Sequence, residues 1–403
     1  MRSLSISSRS LTVATIVAAN MLGLAATDLY LPSVPFMPEI FGTNVESAQF
    51  TLVAFSAGFA LSQILIGAMG DLYNRRWVLA GSLLAFVPAT AWCALSPDIA
   101  SFIAARAAQG VSASASAALT APMIRQLYDE AKAVHALSVI GGIDAIVPAI
   151  APILGAWIFF NFGWQANFWA VAAIGVPITL AALLAIPDDR PETHHTSLWP
   201  VLRGYGYLVR HRVFLGYGVS HGLALGGFLA LVFSTPYLIS AHMGGGPREF
   251  IYCQIIWVGV FLAAAASTGK GVARFGPDRL ILLGNLLQIG GALLVLGYAL
   301  SPSIYGPGLH WLGLALTATP FAVGLGLRGG AGFTRAIDAV PSHGGRASAL
   351  IVFFSLGFAA LGTGMAAPFL KWGLGPVALT MLAHGVLALW VLSLAFPLKR
   401  AGR

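Results

Sequence analysis

The chain is 403 residues long, 58% of them hydrophobic and only 9% charged, against roughly 25% charged residues in a soluble domain. That balance excludes a soluble enzyme, and the net charge of +8 does not mark a nucleic-acid binder, because the basic residues are scattered over many short segments. Both cysteines, Cys93 and Cys253, fall inside apolar runs, which argues against a disulfide framework.

The first apolar run, Leu11 to Ala26, follows Arg2 and Arg9 and has the outline of a signal peptide, with Ala25 and Ala26 at the cleavage position. It runs on into Asp28-Leu-Tyr-Leu-Pro32-Ser-Val-Pro35, and its removal would break a division into two equal sets, so it is read as the first span. Further spans of about 20 residues, the length that crosses hydrocarbon, are predicted at 49–70, 77–96, 99–124, 134–160 and 164–186. After the most polar stretch, 187–212, the second set reads 213–239, 250–269, 279–300, 308–334, 347–370 and 376–396. The neighbouring His194 and His195 in the polar stretch lack a spaced third metal ligand and read as part of a solvated linker. The expected fold is all-α, with twelve transmembrane helices in two six-helix bundles, 1–186 and 213–403, joined by the linker.

With a cytoplasmic N-terminus, every one of the 22 Lys and Arg except Arg106, Arg248 and Lys371 lies on an inner segment. Basic residues resist translocation, so both termini are expected in the cytoplasm. Of the ionisable residues, Asp28, Arg106 and Asp144 sit clearly inside spans, where a charge is kept against a cost of a few kcal/mol and is functional by default. Asp28 and Arg106 both lie on the order of 10 Å below the outer ends of their helices, a depth that makes them plausible partners. Two enzyme-like strings, Gly218-Val-Ser-His-Gly222 and Gly324-Leu-Gly-Leu-Arg-Gly329, lie in apolar helical runs and not in the strand-turn-helix setting they require, so close helix packing accounts for them better. His221 and His384, also within spans, read as packing histidines.

Four patterns go further. The loop Gly67-Ala-Met-Gly-Asp71-Leu-Tyr-Asn-Arg75-Arg76 resembles the one between the second and third helices of major facilitator superfamily transporters, with Asn74 where that pattern usually has Gly; a turn needing positive φ is expected at Asn74. The loop is echoed half a chain later by Gly269-Lys-Gly-Val-Ala-Arg-Phe-Gly276, the mark of a duplicated transporter. Arg106-Ala-Ala-Gln109-Gly110 resembles the Arg-x-x-Gln-Gly motif of the drug:proton antiporters. In the fifth helix Asp144, Pro148 and Pro152 share a face, and Pro152-x-x-Gly155 resembles the antiporter motif, with departures at Ala151 and Ala156. Finally, Asp28 to Pro38 followed by Gln49-x-Thr51-Leu, and the stretch Arg335 to Leu350, look like the bicyclomycin and chloramphenicol resistance branch.

The resemblance implies two bundles rocking about a central cavity and proton-driven export of small amphipathic compounds. Asp28 would then carry the proton with Arg106 in support, and Tyr30, Gln109 and Arg328 would line the cavity; Asp144, which has no counterpart in that branch, is read as this chain's own addition to the cavity, tuning substrate charge preference. Gly67, Asp71, Arg75 and Arg76 would form the inner gate, with the Asp71 carboxylate near the positive end of the eleventh helix. Pro148, Pro152 and Gly155 would shape an interface helix. The alternative is an importer or facilitator of a metabolite or inorganic oxyanion, with Arg328 as anion ligand near the inner mouth. Neither reading calls for a metal, a cofactor or nucleic acid. The expected partners are substrate, protons and lipid, and the expected form is a monomer in a bacterial inner membrane.

Overall fold

The structure, a computed structural model, describes residues 6–188, 198–301 and 310–396. Among them every regular element is helical, and twelve helices are long: α1 (Ile6–Asp28), α2 (Val45–Leu72), α3 (Arg75–Leu95), α4 (Ile99–Leu127), α5 (Glu130–Phe162), α6 (Trp164–Ala185), α7 (Arg212–His242), α8 (Pro247–Phe275), α9 (Pro277–Ala299), α10 (His310–Asp338), α11 (Gly344–Ala366) and α12 (Gly375–Leu392). An eleven-residue linker helix, Leu198–Leu208, precedes α7. His194 and His195 lie outside the described residues.

The predicted spans all appear, and most of the helices outrun them by several residues. Backbone groups cannot be left unpaired within hydrocarbon, so the helices run through it and end where a polar side chain can take over. Asn44 accepts from the Ser47 amide, Asp98 from that of Ser101 and Asp129 from that of Lys132. The first span ends differently. Pro32 and Pro35 lack amide hydrogens, so α1 gives way after Asp28 to a 3-10 stretch, Leu31–Phe36, and a short helix, Met37–Ile40. Eleven of the spans are apolar enough to cross a membrane on composition alone. The exception is α4, whose Arg106, Gln109, Ser112, Ser114 and Ser116 are all buried against neighbouring helices.

Helices of the first set pack as α2 on α4, α3 on α6 and on α4, and α1 on α4, α5 and α6. In the second set α10 lies on α9 and α8, and α7 lies on α11 and α12. Lipid supplies no hydrophobic drive between helices, so close approach at small residues holds them together. A Cβ on Gly110 would stand 2.1 Å from the Phe55 carbonyl oxygen, and one on Gly324 would stand 2.3 Å from that of Gly284. Gly222 likewise meets the α11 residue Phe354. Glycines of both enzyme-like strings are thus packing glycines inside helices.

The two sets meet along α2 and α11 and between α5 and α8. Loops rich in Lys and Arg alternate with loops poor in them, which defines a basic end and an opposite end of the molecule. At the opposite end one apolar cluster joins both sets, with Leu31, Met37 and Phe102 from the first and Leu238, Phe250 and Leu370 from the second. At the basic end a smaller cluster packs Ile64, Ala68 and Leu72 of α2 against Tyr205, Phe214 and Leu350.

Candidate functional site

Arg106 is fully buried, one turn before Gln109 on α4. Its guanidinium donates to Gln109 Oε1, to the Ala26 carbonyl (3.2 Å) and to Thr27 Oγ1 (3.3 Å). Three rings surround it, with Arg106 Cζ 4.4 Å from the centroid of Phe55, 5.2 Å from Tyr30 and 5.8 Å from Phe168. A desolvated cation so caged gains of order 2 kcal/mol per good aromatic face. Gln109 Nε2 is in turn held by Thr90 Oγ1 at 2.9 Å.

This geometry corrects three expectations. Tyr30 does not line a cavity: it is 1% exposed, hydrogen-bonded to Thr51 Oγ1 at 2.9 Å, and serves as a wall of the Arg106 cage. Gln109 is equally buried and acts as an acceptor for Arg106. Asp28 and Arg106 reach the same turn of α1, yet among the described residues no ion pair within 4.0 Å joins them. Successive helical residues point about 100° apart, so Thr27, which meets the guanidinium, turns Asp28 away from it. Asp28 itself closes α1 and keeps part of its surface exposed.

Asp144 is also part-exposed, and its Oδ1 accepts from Asn20 Nδ2 on α1 at 2.7 Å. Two turns further along α5, Pro152 has no amide hydrogen, which strips the Pro148 carbonyl of its helical donor. Gln254 of α8 donates to that oxygen at 3.3 Å, so the proline pair exposes an acceptor that the other set satisfies. Gly155 then brings α5 against the end of α1 so closely that a Cβ would stand 2.0 Å from the oxygen of Leu29, the residue just past that helix. The Ala151 and Ala156 departures do not prevent this approach. Beside these residues, α1, α5 and α6 enclose a cleft of about 380 Å³ lined only by apolar side chains such as Met21, Ile146 and Ile174. None of the predicted site residues lines it, and it offers nothing to orient a polar ligand.

Arg328 is fully buried inside the second set. It donates to Asn285 Oδ1 (2.6 Å), Ser220 Oγ (2.7 Å) and Gln288 Oε1 (3.3 Å). A position at an inner mouth, as expected of an anion ligand, is therefore not what this conformation shows. His384 spans two backbone carbonyls, Thr380 at 2.8 Å and Phe358 at 3.2 Å, in keeping with a packing role.

At the basic end, Asp71 Oδ2 accepts from Arg346 Nε at 3.1 Å. Arg346 is the third residue of α11, so the carboxylate's partner is a side chain from the first turn of the eleventh helix. Arg75 opens α3 and is part-buried. Arg76 turns away to the end of α6, bonding Asp188 Oδ1 (3.3 Å) and the Leu183 carbonyl. Asn74 has φ −58°, not the positive φ expected, because it caps α3 by accepting from the Arg76 amide at 3.0 Å. Its counterpart Gly276 does take φ +78°. In the echo loop Asp278 stands where Arg76 stands in the first, and it binds its own set: Arg335 by two bonds (2.8 and 3.0 Å) and the Tyr217 hydroxyl at 2.7 Å. No motif spacing links Asp278, Arg335 and Arg346 to the loop residues; the available signals were the echo register for Asp278 and the Arg335 to Leu350 stretch for the two arginines.

Comparison with known proteins agrees with this architecture. The Major Facilitator Superfamily model matches residues 16–363. Relatives include the multidrug resistance protein MdtL of an Escherichia coli strain, 27% identical over 310 residues that cover 77% of each chain, and that of Shigella flexneri, 26% identical over the same share. Among solved structures, a nucleoside transporter, NupG, superposes with a TM-score of 0.69 at 13% identity, covering 96% of this chain and all of that one. The human organic anion transporter TETRAN gives 0.66 at 17% identity, covering 96% and 99%.

Proposed function

We propose that this chain, which belongs to the Major Facilitator Superfamily and is a multi-pass membrane transporter and not an enzyme, exports small amphipathic compounds in exchange for protons. The observation that carries the coupling is Asp28: an ionisable group kept within a span, part-exposed, one residue beyond the Thr27 that engages the caged Arg106. Export is supported by the multidrug resistance proteins among the relatives and by the α5 interface helix. In this reading, residues 1–186 and 213–403 rock about the 187–212 linker. The apolar cluster closes the outer end and the Asp71–Arg346 pair latches the inner one, with both termini in the cytoplasm of a bacterial inner membrane and a monomer as the working unit. Asp144, held by Asn20, adjusts which substrate charge is accepted.

Reconstitution in liposomes tests this. With an imposed pH gradient, purified protein drives uphill movement of an amphipathic drug, Asp28→Asn abolishes uphill movement while leaving downhill exchange, and Asp144→Asn changes the preference between cationic and neutral drugs. Uphill export retained in Asp28→Asn and lost in Asp144→Asn would reverse the two roles. Retention in both variants would remove both from the coupling step.

A further inference from the structure

The linker helix is more than a solvated connection between bundles. It packs on both α2 and α11, at the basic end where the two sets meet. Its Tyr205 and Leu208 belong to the same buried cluster as Phe214, Tyr217, Ile281 and Leu350. That cluster draws mainly on the second set, so the helix is anchored there.

From this anchorage Tyr205 crosses to the first set. A Cβ on Gly67 would stand 2.7 Å from the Tyr205 hydroxyl, so the ring end fills a notch that exists because residue 67 has no side chain. The next residue back does the same for the ion pair. A Cβ on Gly204 would stand 2.3 Å from Arg346 Nη1, so the Arg346 side chain passes directly against the linker helix as it reaches Asp71. The Tyr205 hydroxyl is buried and has no hydrogen-bond partner among the described residues. Burial, followed by the nearby Asp71 carboxylate, raises its pKa well above the ordinary phenol range, so the hydroxyl stays neutral. A neutral, unpartnered hydroxyl is a cost in a static structure but suits a contact that has to break.

We infer that Gly204 and Tyr205 are positioning residues of the inner gate, the first seating Arg346 against Asp71 and the second plugging the Gly67 notch, so that opening the gate requires the linker helix to withdraw Tyr205 from α2. This assigns the Gly67 of the loop motif a definite function, a socket for the linker, and not merely a turn. It rests on the alternating-access part of the reading above but not on export, substrate or proton coupling.

Accessibility of one thiol in the full-length protein tests it without transport. Ile64 packs part-buried against the inner cluster, so a thiol there is covered further or uncovered as the two sets close or part at that end, while the native Cys93 and Cys253 are buried. In inside-out vesicles, Ile64→Cys is labelled with a membrane-impermeant maleimide. Gly67→Ala, which forces a methyl against Tyr205, raises the labelling rate about tenfold, equivalent to ~1.4 kcal/mol. In a Tyr205→Ala background the same Gly67→Ala change has no further effect, because the notch is already empty. Gly204→Ala raises labelling by a similar factor and adds nothing once Arg346→Ala is present. The inference is overturned if Gly67→Ala and Tyr205→Ala multiply as independent changes, or if Gly67→Ala and Gly204→Ala leave the rate unchanged. Failure of drug export with these labelling results intact would refute the export reading and leave the gate assignment standing.

Discussion

Gly155→Ala is the most severe single-methyl change the structure offers in α5, and its cost can be worked out in advance. The new Cβ would sit 2.0 Å from the Leu29 oxygen, and ordinary contact begins near 3.4 Å, so α5 and α1 must separate by about 1.4 Å. The obstructing atom is a backbone carbonyl and cannot rotate aside, which places the overpacking cost toward the top of the usual ~1–3 kcal/mol. A rigid shift of that size would also stretch the Asn20–Asp144 bond from 2.7 Å to about 4 Å, beyond hydrogen bonding, and remove an interaction with an acidic group worth about 1.5–3 kcal/mol. The assay is the apparent melting midpoint of detergent-purified protein, read by size-exclusion chromatography after heating, together with liposome transport. Gly142→Ala on the same helix is the control, since nothing lies within 4 Å of its Cβ. Gly155→Ala should melt well below wild type and transport poorly, and Gly142→Ala should do neither. Equal midpoints for the two variants would refute the close α1–α5 approach from which the cost was derived.

Arg346→Gln should raise the inside-open population about fivefold, since the pair is part-exposed and worth about 1 kcal/mol; the charge swap Asp71→Arg with Arg346→Asp should recover most of it, as read by distance measurements between spin labels at the basic ends of α2 and α11. Gln254→Leu should destabilise the state closed at the opposite end by about 0.5–1.5 kcal/mol, because it leaves the Pro148 carbonyl without a donor, and the same labels should show a smaller inside-open fraction. Cys93 and Cys253, both fully buried, should resist maleimide in the folded protein and react only on unfolding, which mass spectrometry after timed labelling will show.

The span pattern was legible because hydrophobic length reports directly on bilayer thickness, and α4 was found despite its hydroxyl residues because Arg106 is the one charge before its last turn and its length is right. Which way each embedded residue faces was much less legible. The depth match between Asp28 and Arg106 placed both on the correct turns, but a one-residue difference on α1 sets Thr27, not Asp28, against the guanidinium. Tyr30, Gln109 and Arg328 are residue types that suit a cavity wall, and all three are spent inside bundles. Hydropathy cannot distinguish a polar group facing a cavity from one satisfied by a neighbouring helix. At the loops, the expectation of a left-handed turn at Asn74 failed because asparagine has two ways to end a turn, and here it caps a helix. The pairing of Arg346 with Asp71 was illegible for a related reason: the two are 275 residues apart in sequence, and the loop motif describes one side of the contact only.

The two ends of the molecule are held shut by unlike forces, and this bears on how such a transporter can change over time. Closure at the opposite end is spread over many apolar side chains, none of which dominates, so few single substitutions there will move the balance far. Closure at the basic end adds to a smaller apolar cluster the Asp71–Arg346 ion pair, Tyr205 and the two glycines it and Arg346 press on. A lineage under pressure from a new toxic compound therefore has a short route to a carrier that dwells open to the inside, through one nucleotide change at any of these few positions, and only a long route to the reverse bias. The same asymmetry makes the basic end responsive to ionic strength, which screens a part-exposed pair over about 8 Å at physiological salt, while the apolar seal responds to temperature instead.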